Sequence, residues 1–171
     1  MIELYGIIFT IFIGALLHFT YEWSGRSLLM AFFAPTNESV FEHLKLLMTP
    51  FLLWTLNEYV HYGQFMKNFI PAKTIGLIAG VIFIIVFFYV YTTVCGRNFL
   101  VIDIAAFVFS VLIAFGLSHY LMTVPWLGLL PVRLVCDLLL ICLVLVTAAF
   151  SIYPPRSALF DAPPLRKPRC K

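Results

Sequence analysis

Long apolar runs dominate this chain, and they are apolar on all sides, without the alternation of half-buried strands or the single stripe of amphipathic surface helices. Five of them, Leu4 to Thr20, Leu44 to Val60, Thr74 to Val94, Phe99 to Met122 and Leu129 to Phe150, approach or exceed the roughly 20 residues that cross a bilayer. Unpaired amides are costly in hydrocarbon, so these runs must be helical. The pattern predicts an all-α, polytopic transmembrane helix bundle of five spans. A shorter run, "SLLMAFFAP", ends in proline and is too short to cross. It reads as a re-entrant or interfacial piece joining the first two spans; a longer second span or a sixth crossing are the alternatives.

Composition places this pattern firmly in the membrane. The 171 residues are 63% hydrophobic and 11% charged, with a mean hydropathy of +1.02, whereas soluble domains carry about 25% charged residues. Residues 1–152 form one helical domain, and the remainder, "YPPRSALFDAPPLRKPRCK", has the composition of an extended, solvated tail. The start of the chain carries Glu3 where an export signal would be basic and shows no small-residue cleavage site, so the first segment is expected to stay in place. The net charge of +3 comes largely from the tail, which argues against nucleic-acid binding and leaves membrane lipids as the expected partners. Cys95, Cys136, Cys142 and Cys170 form no metal or disulfide pattern and read as small packing residues.

Lys and Arg are unevenly divided between the two sides of this topology. Arg26, Lys45, Arg97, Arg156 and the basic tail share one side, against Lys67, Lys73 and Arg133 on the other. That bias predicts a multi-pass protein of the cell membrane with the N-terminus outside and the tail in the cytoplasm. Tyr5, Tyr21, Trp23, Trp54, Tyr59, Tyr62, Tyr120 and Trp126 fall mostly near span ends, where interfacial aromatics belong.

An ionisable residue inside a span is costly, so each one needs a reason. On the cytoplasmic side "HFTYE" sets His18 and Glu22 four residues apart, and "NESVFE" does the same for Glu38 and Glu42. At that spacing each pair shares a helical face, about 6 Å apart along the axis. His43 adjoins them, and Asp103 falls early in the fourth span at the same level. Thr36 or Asn37 is expected to cap the second span after Pro35, with Glu38 and Glu42 near the positive end of its dipole. Lys45 reads as a snorkelling anchor, and Asp103 as a partner for Arg97. On the outer side Glu58, His61 and His119 offer a second candidate site, with solvation at the interface the simpler expectation, and Arg133 and Asp137 are expected to neutralise each other across one turn.

"HFTYEWSG", "FAPTNESVFEHLKL", "GRNFLVIDI" and the "YPP…LFDAP" tail region resemble a family of small bacterial membrane proteins described only as a domain of unknown function. The likeness runs over essentially the whole chain and implies one multi-span bundle, with no activity attached. A second likeness is to the sterol-isomerase and sigma-2-receptor superfamily. Its members are similar in placing a histidine four residues before a glutamate, with a further acid in the next span; here those would be His18, Glu22 and either Glu38 or Glu42. The resemblance implies proton transfer on a greasy, ring-bearing substrate.

The residues point first to an intramembrane enzyme with a lipid-like or small hydrophobic ligand, its site drawn from His18, Glu22, Glu38, Glu42, His43 and Asp103. In one chemistry His18, Glu22, Glu42 and His43 hold a divalent metal such as zinc, which activates water for hydrolysis. In the other, carboxylates pass protons for an isomerisation without metal. A small-solute-binding or transport subunit is the alternative from a different class.

Overall fold

The computed structural model describes residues 2–157 together with 159 and 160, and among them no strand occurs. Six α-helices follow in order: α1 (Ile2–Trp23), α2 (Leu28–Phe33), α3 (Val40–His61), α4 (Phe69–Cys95), α5 (Leu100–Leu121) and α6 (Leu130–Ile152). The five long ones correspond to the five expected spans, with α1, α3 and α4 extended by a few residues and α5 and α6 within two residues of the expected ends, and α2 is the short apolar run before Pro35. Consecutive long helices run antiparallel. One end of the bundle therefore gathers the start of α1 with the end of α3 and the start of α4, and the opposite end gathers α2 with the start of α3.

Four helices, α1, α4, α5 and α6, are long and apolar enough to cross a membrane, and they mark this as a membrane protein. The fifth, α3, matches them in length at 22 residues but carries Glu42, His43, Lys45 and Glu58. Burial resolves that conflict. Phe41, Leu44, Leu47, Met48 and Phe51 of α3 form the core with Leu77 and Val81 of α4 and Val111, Ala114 and Phe115 of α5, so α3 is wrapped by more apolar helices. Conversely, α6 buries only Cys136 and Thr147 and turns Leu134, Leu138 and Leu145 outward, as a lipid-facing helix would.

Small residues set how closely the helices approach. Gly76 and Gly80 lie four apart on α4 against α5, the small-xxx-small spacing that lets membrane helices meet backbone to backbone. A Cβ at Gly76 would overlap the Ala114 carbonyl oxygen, and one at Gly80 would lie 3.0 Å from that of Ser110. On α3, Pro50 lacks the N–H that would otherwise bond the Leu46 carbonyl; α1 approaches that oxygen so closely that a Cβ at Gly14 would lie 2.6 Å from it. Gly76→Val is therefore expected to cost about 1–3 kcal/mol by overpacking. Gly116→Ala meets nothing within 4 Å and should be neutral or stabilising by up to about 1 kcal/mol through helix propensity. Unfolding midpoints of the two variants in one detergent check the contrast; equal shifts would refute this account of the α4–α5 contact.

Two local expectations are corrected. The cap of α3 is Ser39, whose hydroxyl accepts the Glu42 N–H at 3.2 Å. Asn37 instead uses its Oδ1 to accept the Ser39 N–H at 2.8 Å, and Thr36 donates to Glu42. The chain at Leu159 and Phe160 also returns to the bundle, where a solvated tail was expected. The Leu159 carbonyl accepts the Phe41 N–H at 3.1 Å, satisfying a first-turn donor of α3, while the Phe160 ring packs 4.4 Å from that of Phe41. Residues 161–171, with Cys170 and most of the basic tail, lie outside the described residues. Cys136 is buried and packs as expected, whereas Cys95 and Cys142 are exposed.

Candidate functional site

Because Ser39 caps α3, Glu38 falls just before the helix and Glu42 within its first turn. The two carboxylates therefore do not share a face. Glu38 points outward and is 71% exposed, while Glu42 turns into the bundle and is 4% exposed. This single boundary divides the polar cluster into a structural half and an open half.

The inward half is an ion pair. Lys45 Nζ lies 2.7 Å from Glu42 Oε2 and donates to the Ala31 carbonyl at 2.7 Å and that of Ala34 at 3.4 Å. The same carboxylate oxygen accepts the Thr36 N–H at 2.8 Å and its hydroxyl at 2.9 Å. Lys45 is thus buried and hydrogen-bonded rather than snorkelling. Its partners, the end of α2 and the loop after it, are fastened to α3 by this pair together with the Thr49 hydroxyl, which donates to the Phe33 carbonyl at 2.8 Å.

The outward half holds His18, Glu38 and His43, which each offer a ligand atom within 4.8 Å of the other two. Glu38 lies between the imidazoles, with Oε1 3.9 Å from His18 Nε2 and Oε2 3.5 Å from His43 Nε2. His43 is oriented by its own helix: Nδ1 is 2.9 Å from the Ser39 carbonyl. A carbonyl only accepts, so that bond puts the proton on Nδ1 and leaves the Nε2 lone pair facing Glu38. A histidine fixed in this way is prepared as a metal ligand. Two neutral imidazoles and one carboxylate suit zinc or another borderline divalent ion.

A cavity of about 410 Å³ opens beside this triad, lined among others by His18, Glu22, Arg26, Thr36 and Glu38. Glu22 is exposed on its wall and makes no ion pair with His18. Arg26 reaches the cavity from the turn after α1, where it has φ of 62°, the one non-glycine residue in the left-handed region among those described. Asp103 is not a member of the triad and does not line the cavity. Its carboxylate accepts the Tyr91 hydroxyl, tying the start of α5 to the end of α4, while Arg97 stacks on Phe99 at 4.4 Å.

At the opposite end the expectation of interfacial solvation fails for Glu58, which is fully buried. Glu58 Oε2 lies 2.5 Å from Lys73 Nζ, its Oε1 accepts the Trp54 indole N–H at 3.0 Å, and Lys73 also bonds both oxygens of Glu3 at 3.1 Å. The rings of Phe51, Phe69 and Phe115 surround the ammonium at 5.0–5.7 Å. Burial, together with the Glu58 and Glu3 carboxylates, pushes the Tyr62 hydroxyl well above its ordinary range, so it stays a donor beside Glu58. His61 remains exposed, with Nδ1 2.7 Å from the Asn57 carbonyl. Among the described residues no ion pair joins Arg133 to Asp137. Sequence reasoning missed the Glu3–Lys73–Glu58 network because Glu3 was weighed only against an export signal and Lys73 only as an outer-side charge; three charges that the topology brings to one bundle end, from α1, α3 and α4, were the available signal.

No curated protein and no solved structure matches this chain. A family model described as a family of unknown function, DUF6512, matches residues 2–163. The resemblance carried by "HFTYEWSG" and "FAPTNESVFEHLKL" thus has a definite home: the chain belongs to this family.

Proposed function

We propose that this protein is a membrane-embedded enzyme that holds a divalent metal ion, zinc by preference, on His18, Glu38 and His43 and hydrolyses a lipid-phase substrate. The observation that carries the reading is the convergence of those three side chains from α1, α3 and the loop between them beside a polar cavity. Glu38 takes the place among the ligands for which Glu42 was a sequence candidate, since Glu42 is engaged by Lys45. His18, Glu38 and His43 would hold the ion, and zinc would supply the acidity that activates a water for hydrolysis. Glu22 lines the same cavity and would serve as the general base for that water. Arg26 supplies a positive charge for an anionic headgroup.

The Lys and Arg bias puts this end of the bundle in the cytoplasm. Removing Lys45 and Lys73 from the count, as residues buried in ion pairs, leaves its sign unchanged. An acid–base isomerase using Glu22, Glu38 and His18 without metal is the variant chemistry. Solute binding or transport is the second reading, supported by a second cavity at the other end of α1.

Metal content of the purified full chain, compared with His18→Ala and His43→Ala, decides between them. The expected result is close to one equivalent per chain, lost at least tenfold in either variant while the unfolding midpoint measured without metal is retained. Metal-free wild-type protein after growth and purification in zinc would sink the hydrolase. A ligand-dependent activity in that metal-free protein, abolished by Glu22→Gln, would instead favour the isomerase.

A further inference from the structure

The turn that ends α1 is wound further than stopping the helix requires. Gly25, at φ 69°, ends it in the left-handed conformation that glycine adopts freely. The Arg26 N–H donates to the Tyr21 carbonyl at 3.0 Å and the Gly25 N–H to that of Glu22 at 3.1 Å, which satisfies the last carbonyls of the helix. Arg26 then repeats the left-handed conformation, at φ 62°, where a residue with a Cβ is strained. Ser24 fastens the turn: its hydroxyl donates to the Tyr21 carbonyl at 2.8 Å and accepts the Ser27 N–H at 3.4 Å. Strain that the surroundings hold in place points to a functional position, and Arg26 is the cation that lines the cavity beside His18 and Glu38.

The fold consumes the ammonium groups of Lys45 and Lys73 in buried ion pairs. Among the described residues Arg26 forms no such pair, although Glu22 and Glu38 line the same cavity. Its guanidinium offers a fork of donors that matches the oxygens of an anion. The cavity, at about 410 Å³, has room for a headgroup and not for the chains of a lipid. Phe19 also lines it, and Phe12, Leu16 and Phe19 are exposed along one face of α1. That face forms an apolar track from the cavity toward the middle of the span, with the Trp23 ring stacked on Phe19 at its outer end. An anion held between Arg26 and the His18–Glu38–His43 triad must offer oxygens on two sides. A tetrahedral phosphate does so, whereas both oxygens of a carboxylate lie on one edge.

We propose that this cavity binds the phosphate headgroup of a single- or double-chain amphiphile, with the phosphate against Arg26 and the chain along Phe19, Leu16 and Phe12. This names the substrate class of the proposed metal site and rests on that reading for the reaction, while the headgroup contact itself is made by Arg26. The left-handed turn is the device that brings an arginine from beyond the end of α1 back over the cavity.

The test uses the full chain in a neutral maltoside detergent, with octyl phosphate as the probe, read by saturable equilibrium binding alongside metal content. One site per chain is expected. Nonanoate, which carries the same octyl chain on a carboxylate, and inorganic phosphate, which lacks the chain, should each bind at least tenfold more weakly. Arg26→Asn should weaken octyl phosphate at least tenfold. Asparagine tolerates the left-handed region better than arginine does, so the unfolding midpoint of that variant should be unchanged or raised, and its metal content should equal that of the wild type. Inorganic phosphate bound as tightly as octyl phosphate would assign the site to a free anion and overturn the proposal. Equal binding of nonanoate, undiminished binding to Arg26→Asn, or a metal-loaded chain with no saturable binding would overturn it too, and would leave the metal centre standing. A metal-free wild type that still binds octyl phosphate through Arg26 would support the headgroup site and remove only the hydrolase.

Discussion

Lys73→Met is expected to destabilise the bundle by about 3–5 kcal/mol, the usual cost of stranding a buried charge by removing its partner. Two carboxylates lose their cation at once, Glu58 with no exposure and Glu3 with 16%. The rings of Phe51, Phe69 and Phe115 present their negative faces to the same point and cannot substitute for the ammonium. Glu58→Gln should cost clearly less. Lys73 retains both bonds to Glu3 and can keep the amide oxygen as an acceptor, so that the Trp54 indole N–H is the one neutral group left without its partner. Reversible unfolding of both variants in one detergent gives the comparison. A Glu58→Gln cost equal to that of Lys73→Met, or a Lys73→Met cost below about 1 kcal/mol, within the range of exposed pairs, would show that the network is solvated and not buried.

The same three residues show where sequence reasoning reaches its limit. Apolar runs placed every long helix, because in a bilayer the length and continuity of a run are themselves the structural constraint. Polar residues were harder, since their role depends on which way a helix is turned, and a helix apolar on all sides carries no stripe to reveal it. Glu58 and Lys45 look like interfacial charges when placed only by distance from a span end, yet both are buried against partners. Lys45 and Glu42 are three apart and were legible as a local pair; Glu3 and Lys73 are 70 residues apart and were not.

At the candidate metal site the miss was smaller and had a visible cue. The level of His18, Glu38 and His43 was evident from topology, but which carboxylate joined them depended on where α3 begins. "SVFE", residues Ser39 to Glu42, carries the S-x-x-E signature of a capped helix start. Placing the cap there separates Glu38 from Glu42 without any structure. In the usual capping box the glutamate would return to the Ser39 N–H. Here Asn37 takes that donor, which frees Glu42 for Lys45 and Thr36.

Lys45→Met should be as costly as Lys73→Met, about 3–5 kcal/mol on the same ground of a stranded charge, but with a different footprint. Glu42 is 4% exposed and would keep only the two bonds from Thr36. The carbonyls of Ala31 and Ala34 would lose their donor, leaving the Thr49 bond to the Phe33 carbonyl to hold the end of α2 to α3. The damage should therefore spread along residues 31–39, the segment that carries Glu38. Amide exchange there should rise relative to the α4–α5 contact, and the metal affinity of the proposed site should fall about 10–100-fold, as when the support behind a ligand is lost, although Lys45 touches none of His18, Glu38 and His43. Glu42→Gln makes the complementary change: its amide oxygen can still accept from Thr36 and Lys45, so the loop should stay ordered and the loss of metal affinity should be smaller. If Lys45→Met lowered global stability while leaving exchange at residues 31–39 and metal affinity untouched, the buried pair would be a feature of the core alone. The position of Glu38 would then have to come from the loop's own turn at Asn37 and Ser39 and not from its fastening to α3.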